Sequence, residues 1–222
     1  VIPRYRNKGI GTQLLKRLEN VLISMNIKEI RSRYRSDWGS ISYIEKLLTR
    51  AGWEPPVLFR LILEAGIEYY PRVNWPPVKA YPGYTLFNWS ELTDQDRAGI
   101  NELIHKGEIS REFNPFQHQD RIYSPSSFGL RKNREIAGWN MAYALKADTI
   151  EYNNLFIRKE YRNIGHAITL LHRSFDEQFK QNVPRATWIV NADNRPVLKF
   201  ASRLAGEYAD KRVEVMLCRK NL

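Results

Sequence analysis

With one cysteine, Cys218, in 222 residues, the chain has no partner for an internal disulfide and too few thiolates for a Cys-rich zinc site. The four histidines, His105, His118, His166 and His172, show no metal-ligand spacing with one another, so no metal is expected. No apolar run approaches the roughly 20 residues that span a bilayer. The first residues are polar and basic, without the apolar core of a signal peptide. The expectation is a cytoplasmic protein with no membrane partner. Acid is also scarce: 24 Asp and Glu stand against 35 Lys and Arg, a formal charge of +11. Such an excess favours a polyanion, whether nucleic acid, an anionic surface or a phosphorylated ligand. No helix-turn-helix, zinc finger or stacking motif supports nucleic acid, which leaves a solvated basic surface and a phosphorylated ligand. There is no G-x-x-x-x-G-K-[ST], which excludes a nucleoside-triphosphate loop. Gly9-Ile-Gly11-Thr-Gln-Leu14 lacks the third glycine of a dinucleotide fingerprint.

What is present is a repeated turn that flows into a helix. Residues 160–171 read E-Y-R-N-I-G-H-A-I-T-L-L, and residues 5–15 read Y-R-N-K-G-I-G-T-Q-L-L. Both copies are Tyr-Arg-Asn-x-Gly-x-small, and both run into a pair of leucines. Arg6 and Arg162 are 156 residues apart, about one domain. In the second copy Arg162 supplies charge. Gly165 allows a close backbone approach or a positive φ, and Ala167 keeps the first turn uncrowded. The free N–H groups of a first turn, with the positive end of the helix dipole, favour an anion such as phosphate.

Around these loops the pattern is regular. Residues 11–25 read as a helix with Leu14, Leu15, Leu18, Val21 and Leu22 at spacings of three and four. A strand at 27–34, a helix at 41–50 closed by Gly52 and a strand at 57–63 follow. Residues 65–82, rich in proline and aromatics, read as a linker docked through Tyr69, Tyr70 and Trp75. Next come a strand at 84–89, a helical region from Ser90 to about residue 106, and an irregular stretch, 107–124. Strands at 127–131, 136–145 and 149–157 lead into Arg162. A helix at 166–179, a strand at 186–191, a helix at 195–204 and a strand at 208–217 end the chain. The domains expected are 1–64, a linker 65–82, and 83–222.

Loop, context and element order together resemble the GCN5-related N-acetyltransferase (GNAT) superfamily, in its tandem, duplicated form. The resemblance is complete from about Tyr84 to Cys218 and partial from Val1 to Leu63, where the earlier strands of the fold are absent. The first unit is either truncated or a remnant that packs on the second, and a sequence that opens one residue into the first motif favours truncation. The fold implied is α/β (α+β): a mixed, mostly antiparallel central sheet flanked by helices, one complete unit plus a partial one. The donor implied is acetyl-CoA or another acyl-CoA, and the acceptor is an amine of a small molecule or protein, attacked directly in a ternary complex. The pantetheine arm would pair with the fourth strand at Leu155, Phe156 and Ile157, where a backbone N–H would polarise the thioester. The backbone of Arg162, Asn163, Ile164, Gly165, His166 and Ala167 would hold the pyrophosphate, and Asn194 matches the helix after the fifth strand. Arg6, Gly9 and Gly11 form the equivalent loop of the first unit, although a unit without the pantetheine-gripping strand should not bind.

Two departures from the family pattern bear on catalysis. Where many relatives carry a carboxylate on the fourth strand this chain has Asn153 and Asn154, so Glu151, two residues earlier on the same face, is the candidate base. Where they carry the tyrosine that protonates the leaving thiolate it has Ala201, and the first unit has Leu48. Tyr208 and Tyr152 are the replacements available. The region holding Phe113, Phe116, His118 and Arg121 would line the acceptor site. The competing reading is a catalytically impaired CoA-binding or scaffold protein. An unfinished first unit also exposes a sheet edge that can pair with another chain as a homodimer.

Overall fold

A computed structural model describes residues 2–5, 7–78 and 81–222, the side chains at 3, 164 and 204–207 excepted. The chain forms two compact units. The first comprises residues 1–62, 191–194 and 213–222; the second comprises 63–190 and 195–212.

The first unit is built from α1 (Ile10–Ser24), β1 (Glu29–Arg35), α2 (Ile41–Arg50), most of β2 (Val57–Gly66) and nearly all of β8 (Lys211–Asn221). Tyr34 on β1, Leu48 on α2, Trp53 and Cys218 on β8 form its core, with Leu15, Ile30, Ile41 and Ile44 packed against them. β8 pairs antiparallel with β1 from Glu29↔Asn221 to Arg35↔Val215, and its other neighbour is β2. Glu19 fastens the unit from within. Its carboxylate accepts from Trp53 Nε1 at 3.0 Å and from Lys220 Nζ at 2.7 Å, so α1, the end of α2 and β8 share one buried acid.

The expected boundary at residue 83 therefore needs correction. The last strand contributes Cys218 and Lys220 to the first unit and completes a core that residues 1–62 do not fill alone. The linker is also shorter than expected. Ala65 and Gly66 extend β2, and Ile67–Arg72 form a 3-10 helix.

In the second unit β3 (Tyr84–Asn88), β4 (Phe128–Lys132), β5 (Glu135–Lys146), β6 (Thr149–Ile157) and β7 (Arg185–Asn191) lie side by side in reverse order, β7-β6-β5-β4-β3. Three of the pairings are antiparallel and β6–β7 is parallel. A two-residue turn, Asn133 and Arg134 both at positive φ, joins β4 to β5, the geometry that matches strand twist in a tight hairpin. Helix α3 (Asp94–His105) starts later than its apolar pattern suggests, because Thr93 and Asp96 cap each other. Arg131 clamps Asp96 with two further hydrogen bonds. The core runs from Phe87, Trp89, Ile100 and Leu103 to Trp139, Met141 and Phe156. Helices α4 (Ile164–Lys180) and α5 (Arg195–Tyr208) complete the unit.

The likeness of the two loops extends to the strand that follows each helix. Strands β1 and β7, residues 29–35 and 185–191, show the same 156-residue offset at both ends. Their surroundings differ. Leu170 is fully buried against Phe128, Leu130 and Ala137 of β4 and β5. Leu14, its counterpart, is 59% exposed, as are large parts of Leu18 and Val21 on the same helix and of Met25 just after it. Among its described residues the first unit has no strands equivalent to β4–β6 to cover that stripe.

Candidate active site

Parallel pairing between β6 and β7 runs from Thr149↔Arg185 to Tyr152↔Trp188 and stops, although both strands continue. At the same rung β6 bulges: Met141 opposes Asn154 and Ala142 opposes Tyr152, leaving Asn153 as the extra residue. A bulge bends its strand and redirects side chains. The backbone from Asn153 to Ile157 thus diverges from β7, and this is the slot the sequence reading assigns to an extended thioester arm. Leu155, Phe156 and Ile157 anchor it with their side chains. Phe156 stacks on Trp139 at 4.5 Å, and Leu155 and Ile157 pack beneath Leu170.

Polar groups gather at the bulge. Trp139 Nε1 donates to Asn154 Oδ1 at 3.0 Å, and Asn154 Nδ2 donates to Tyr143 Oη at 3.1 Å. Glu151 lies directly across the ladder from Tyr143 and accepts from Asn153 Nδ2 at 2.5 Å. The His118 ring meets the edge of Tyr143 at 6.0 Å. Burial raises the Tyr143 pKa, while the Asn154 hydrogen bond and the Arg121 charge oppose the shift. The structure therefore brings Glu151, His118 and Arg121 around one residue, Tyr143, which the sequence reading missed. Its signal was the register: Tyr143 is the cross-strand partner of Glu151.

The two candidate thiolate acids lie elsewhere. Tyr208 belongs to the end of α5, not to the last strand as expected. Its hydroxyl donates to the Arg72 carbonyl at 2.9 Å, and its ring packs on Tyr69. Tyr152 is fully buried, donating to Gln178 Oε1 at 3.0 Å, and that burial raises its pKa. Both hydroxyls are held by structural partners. Asn194, exposed ahead of α5, groups with the first unit.

The two loops have diverged. In the second, α4 starts at Ile164, and the Asn163 side chain accepts from Gly165 N–H at 2.9 Å while its carbonyl accepts from His166 N–H. Arg162 Nε points back to the Ile157 carbonyl at 3.4 Å. Gly165 does not adopt a positive φ; its lack of a side chain permits a close approach instead. The group that approaches is Tyr81, whose hydroxyl occupies the space a Cβ on Gly165 would need. His166 is 4% exposed. Its Nδ1 faces the Tyr161 carbonyl at 3.0 Å, its ring lies against Tyr81 and Tyr84, and its Nε2 has no partner. Ala167 is buried as expected.

In the first loop Gly9 is the helix cap itself, at φ +74°, with no side-chain cap bond, and a Cβ there would meet open space. α1 begins at Ile10 and keeps its first turn uncovered. A cleft of about 490 Å3 opens over it, lined by Asn7, Gly9, Gly11 and Thr12 on one side and by Ser40, Lys46 and Arg50 on the other. Arg6 lies outside the described residues. Of the two loops, the one in the partial unit has the more accessible helix N-terminus.

No His, Cys, Asp or Glu group among the described residues could hold a metal ion, and no helix among them is long and apolar enough to cross a membrane. The profile of the acetyltransferase (GNAT) family matches residues 86–206. Among solved structures, a GCN5-related N-acetyltransferase from Sphaerobacter thermophilus shares 19% identity at a TM-score of 0.65, covering the whole of this chain and 70% of its own. A tandem GNAT protein from the clavulanic acid biosynthesis pathway shares 12% at 0.64, covering all of this chain and 72% of its own. The GCN5-related glucosamine N-acetyltransferase region of a fungal multi-domain β-N-acetylglucosaminidase shares 14% at 0.66, over 98% of this chain and 28% of that one. At these identities the likeness is one of fold. No curated protein matches the chain.

Proposed function

The chain belongs to the acetyltransferase (GNAT) family, and from that premise we propose that it is an acyl-CoA-dependent N-acyltransferase whose chemistry belongs to the second unit. The observation that carries this reading is the divergence of β6 from β7 beyond Tyr152 and Trp188, with Glu151 one rung before the bulge. The unpaired backbone of β6 offers hydrogen-bonding groups to an extended pantetheine arm, as a sheet edge does to an added strand. A backbone N–H past the bulge polarises the thioester carbonyl.

Glu151 takes a proton from the acceptor ammonium, directly or through one water, so that a neutral amine attacks the thioester carbonyl. The C–N bond forms, the C–S bond breaks, and the coenzyme A thiolate takes a proton from solvent, since Tyr208 and Tyr152 are held elsewhere. Tyr143 and Arg121 orient the carboxylate side of the site, and His118 borders the acceptor. Acetyl-CoA is the donor proposed, with an amine of a small molecule or protein as acceptor.

The test is release of free thiol from acetyl-CoA in the presence of an amine panel. Amine-dependent release that is lost in Glu151→Gln supports the assignment. Amine-dependent release that survives in Glu151→Gln removes Glu151 from the role of base, and no release with any amine removes the enzymatic reading.

The open cleft at Gly9 favours a second reading, in which the first unit holds coenzyme A as a binding module. Its uncapped first turn, with Lys46 and Arg50 opposite, suits a diphosphate.

A further inference from the structure

The described residues between β2 and β3, 67–78 and 81–83, follow α4 as a strap, from its C-terminal half to its first turn. Tyr70 meets Phe179 and His172 at 5.5 and 6.0 Å. Trp75 meets His172, Phe175 and, on α5, Phe200, at 5.2, 5.7 and 6.5 Å. Tyr81 ends the path, its hydroxyl against Gly165 and its ring 4.4 Å from His166. The contacts are mostly ring against ring, in the tilted and edge-on geometries that aromatic pairs favour.

Beneath the strap two buried polar atoms lack partners, Trp75 Nε1 and His166 Nε2. Buried polar groups are normally satisfied, and an unsatisfied one costs free energy. The closed strap carries two. His166 sits in the first turn of a 17-residue helix, beside the glycine the phenol covers. With Nδ1 donating to the Tyr161 carbonyl, the bare Nε2 is an unmet acceptor; the parts of an anion site here are the helix N-terminus and the glycine surface, covered by a neutral hydroxyl.

We propose that this strap is an autoinhibitory plug on the donor site of the second unit. Tyr81 takes the diphosphate position at Gly165, Trp75 fills the space between α4 and α5, and both must withdraw before coenzyme A binds there. Asn163, now accepting from Gly165 N–H, must release it to the ligand. The inference rests on the proposal that the second unit is the transferase, and it adds how that site is regulated: donor and strap compete for the same surface.

The experiment is calorimetric titration of the whole chain with coenzyme A, in the wild type, Tyr81→Ala, Gly165→Glu and Tyr81→Ala/Gly165→Glu. Hydrogen exchange over residues 69–83 reports whether the strap is open, and near-ultraviolet dichroism reports that each variant is folded. The expected result is that Tyr81→Ala opens the strap and gains a site at least tenfold tighter than any Gly165-dependent binding in the wild type. That site disappears in the double variant. Should the Gly165-dependent site have equal affinity with the strap closed and open, the plug is overturned and the second-unit donor site stands. Should an opened strap reveal no Gly165-dependent binding at all, the second-unit donor site falls and the plug falls with it. If Tyr81→Ala does not fold, Tyr81→Phe, which removes only the hydroxyl over Gly165, is read by the same three outcomes.

Discussion

The two loops read as the same eleven-residue device and do opposite things with the same glycine. Gly9 is a left-handed cap that ends the loop and leaves the first turn of α1 bare. Gly165, at the equivalent position, lies inside a helix that starts earlier, and its bare surface is covered by Tyr81. The first loop is open in a unit without strands equivalent to β4–β6 among its described residues; the second is covered in a unit that has the full set. The contrast shows that a phosphate-loop motif specifies a backbone that can meet an anion, while capping and neighbouring segments decide whether one can reach it.

The comparison is broken most directly by Gly9→Glu. A carboxylate at the mouth of the open cleft should weaken coenzyme A binding by about 100-fold or more, whereas Gly165→Glu should leave the measured affinity of the wild-type chain unchanged, because Tyr81 already excludes ligand there. Calorimetry on the two variants checks both, and a reversed pattern would mean the open cleft is not the high-affinity site.

Glu151→Gln sharpens the chemical half of the comparison. Turnover should fall by about 10²–10⁴ with the KM for acetyl-CoA unchanged, since Glu151 sits beside Tyr143 and not in the loop. Steady-state kinetics at saturating acceptor read the split, and a change confined to KM would make Glu151 a binding residue.

Glu19→Ala should destabilise the first unit alone. It leaves Trp53 Nε1 and Lys220 Nζ without their shared acceptor, a loss of about 2–3 kcal/mol. Hydrogen exchange in β1 and β8 should speed up while that in β5 stays constant. Equal loss in both would show that they unfold as one cooperative block.

The smallest effect expected is a pH dependence. Burial lowers the His172 pKa, with the Arg173 charge adding to the shift and Asp176 opposing it. The unfolded chain therefore takes up a proton before the folded chain does. The stability His172 contributes is full above its ordinary value near 6.5 and is lost as the pH falls through the lower folded value. Because Tyr70 and Trp75 pack on this ring, the melting temperature should fall by a few degrees as the buffer is acidified from pH 7.5 to 5.5. His172→Phe should flatten that part of the profile.

Much of this was legible in the sequence. β6 and α2 were readable to the residue, because alternation and helical spacing are local signals. The 156-residue offset between the loops was visible before any coordinate, and it recurs between β1 and β7. Glu151 was reached from the family pattern and strand periodicity, and its place across from Tyr143 came only with the register. The placement of β8 was not readable, because Cys218 and Lys220 match any half-buried strand, and only the core they join shows which unit claims them. Tyr81 was not readable either. The strap has no period, and nothing in its composition tells an aromatic that docks from one that docks on a glycine.

The ladder between β1 and β8 joins residues 29–35 to residues 215–221, and this has a consequence for synthesis. A ribosome makes the first unit's helices early and then must complete the whole second unit before the strand that closes the first leaves the exit tunnel. Chains emerge at about 5–20 residues per second, so the core face of α1, with Leu15, waits on the order of ten seconds for β8 to close it. During that interval the nascent chain presents an apolar helix and an unpaired strand together, the features that chaperones recognise.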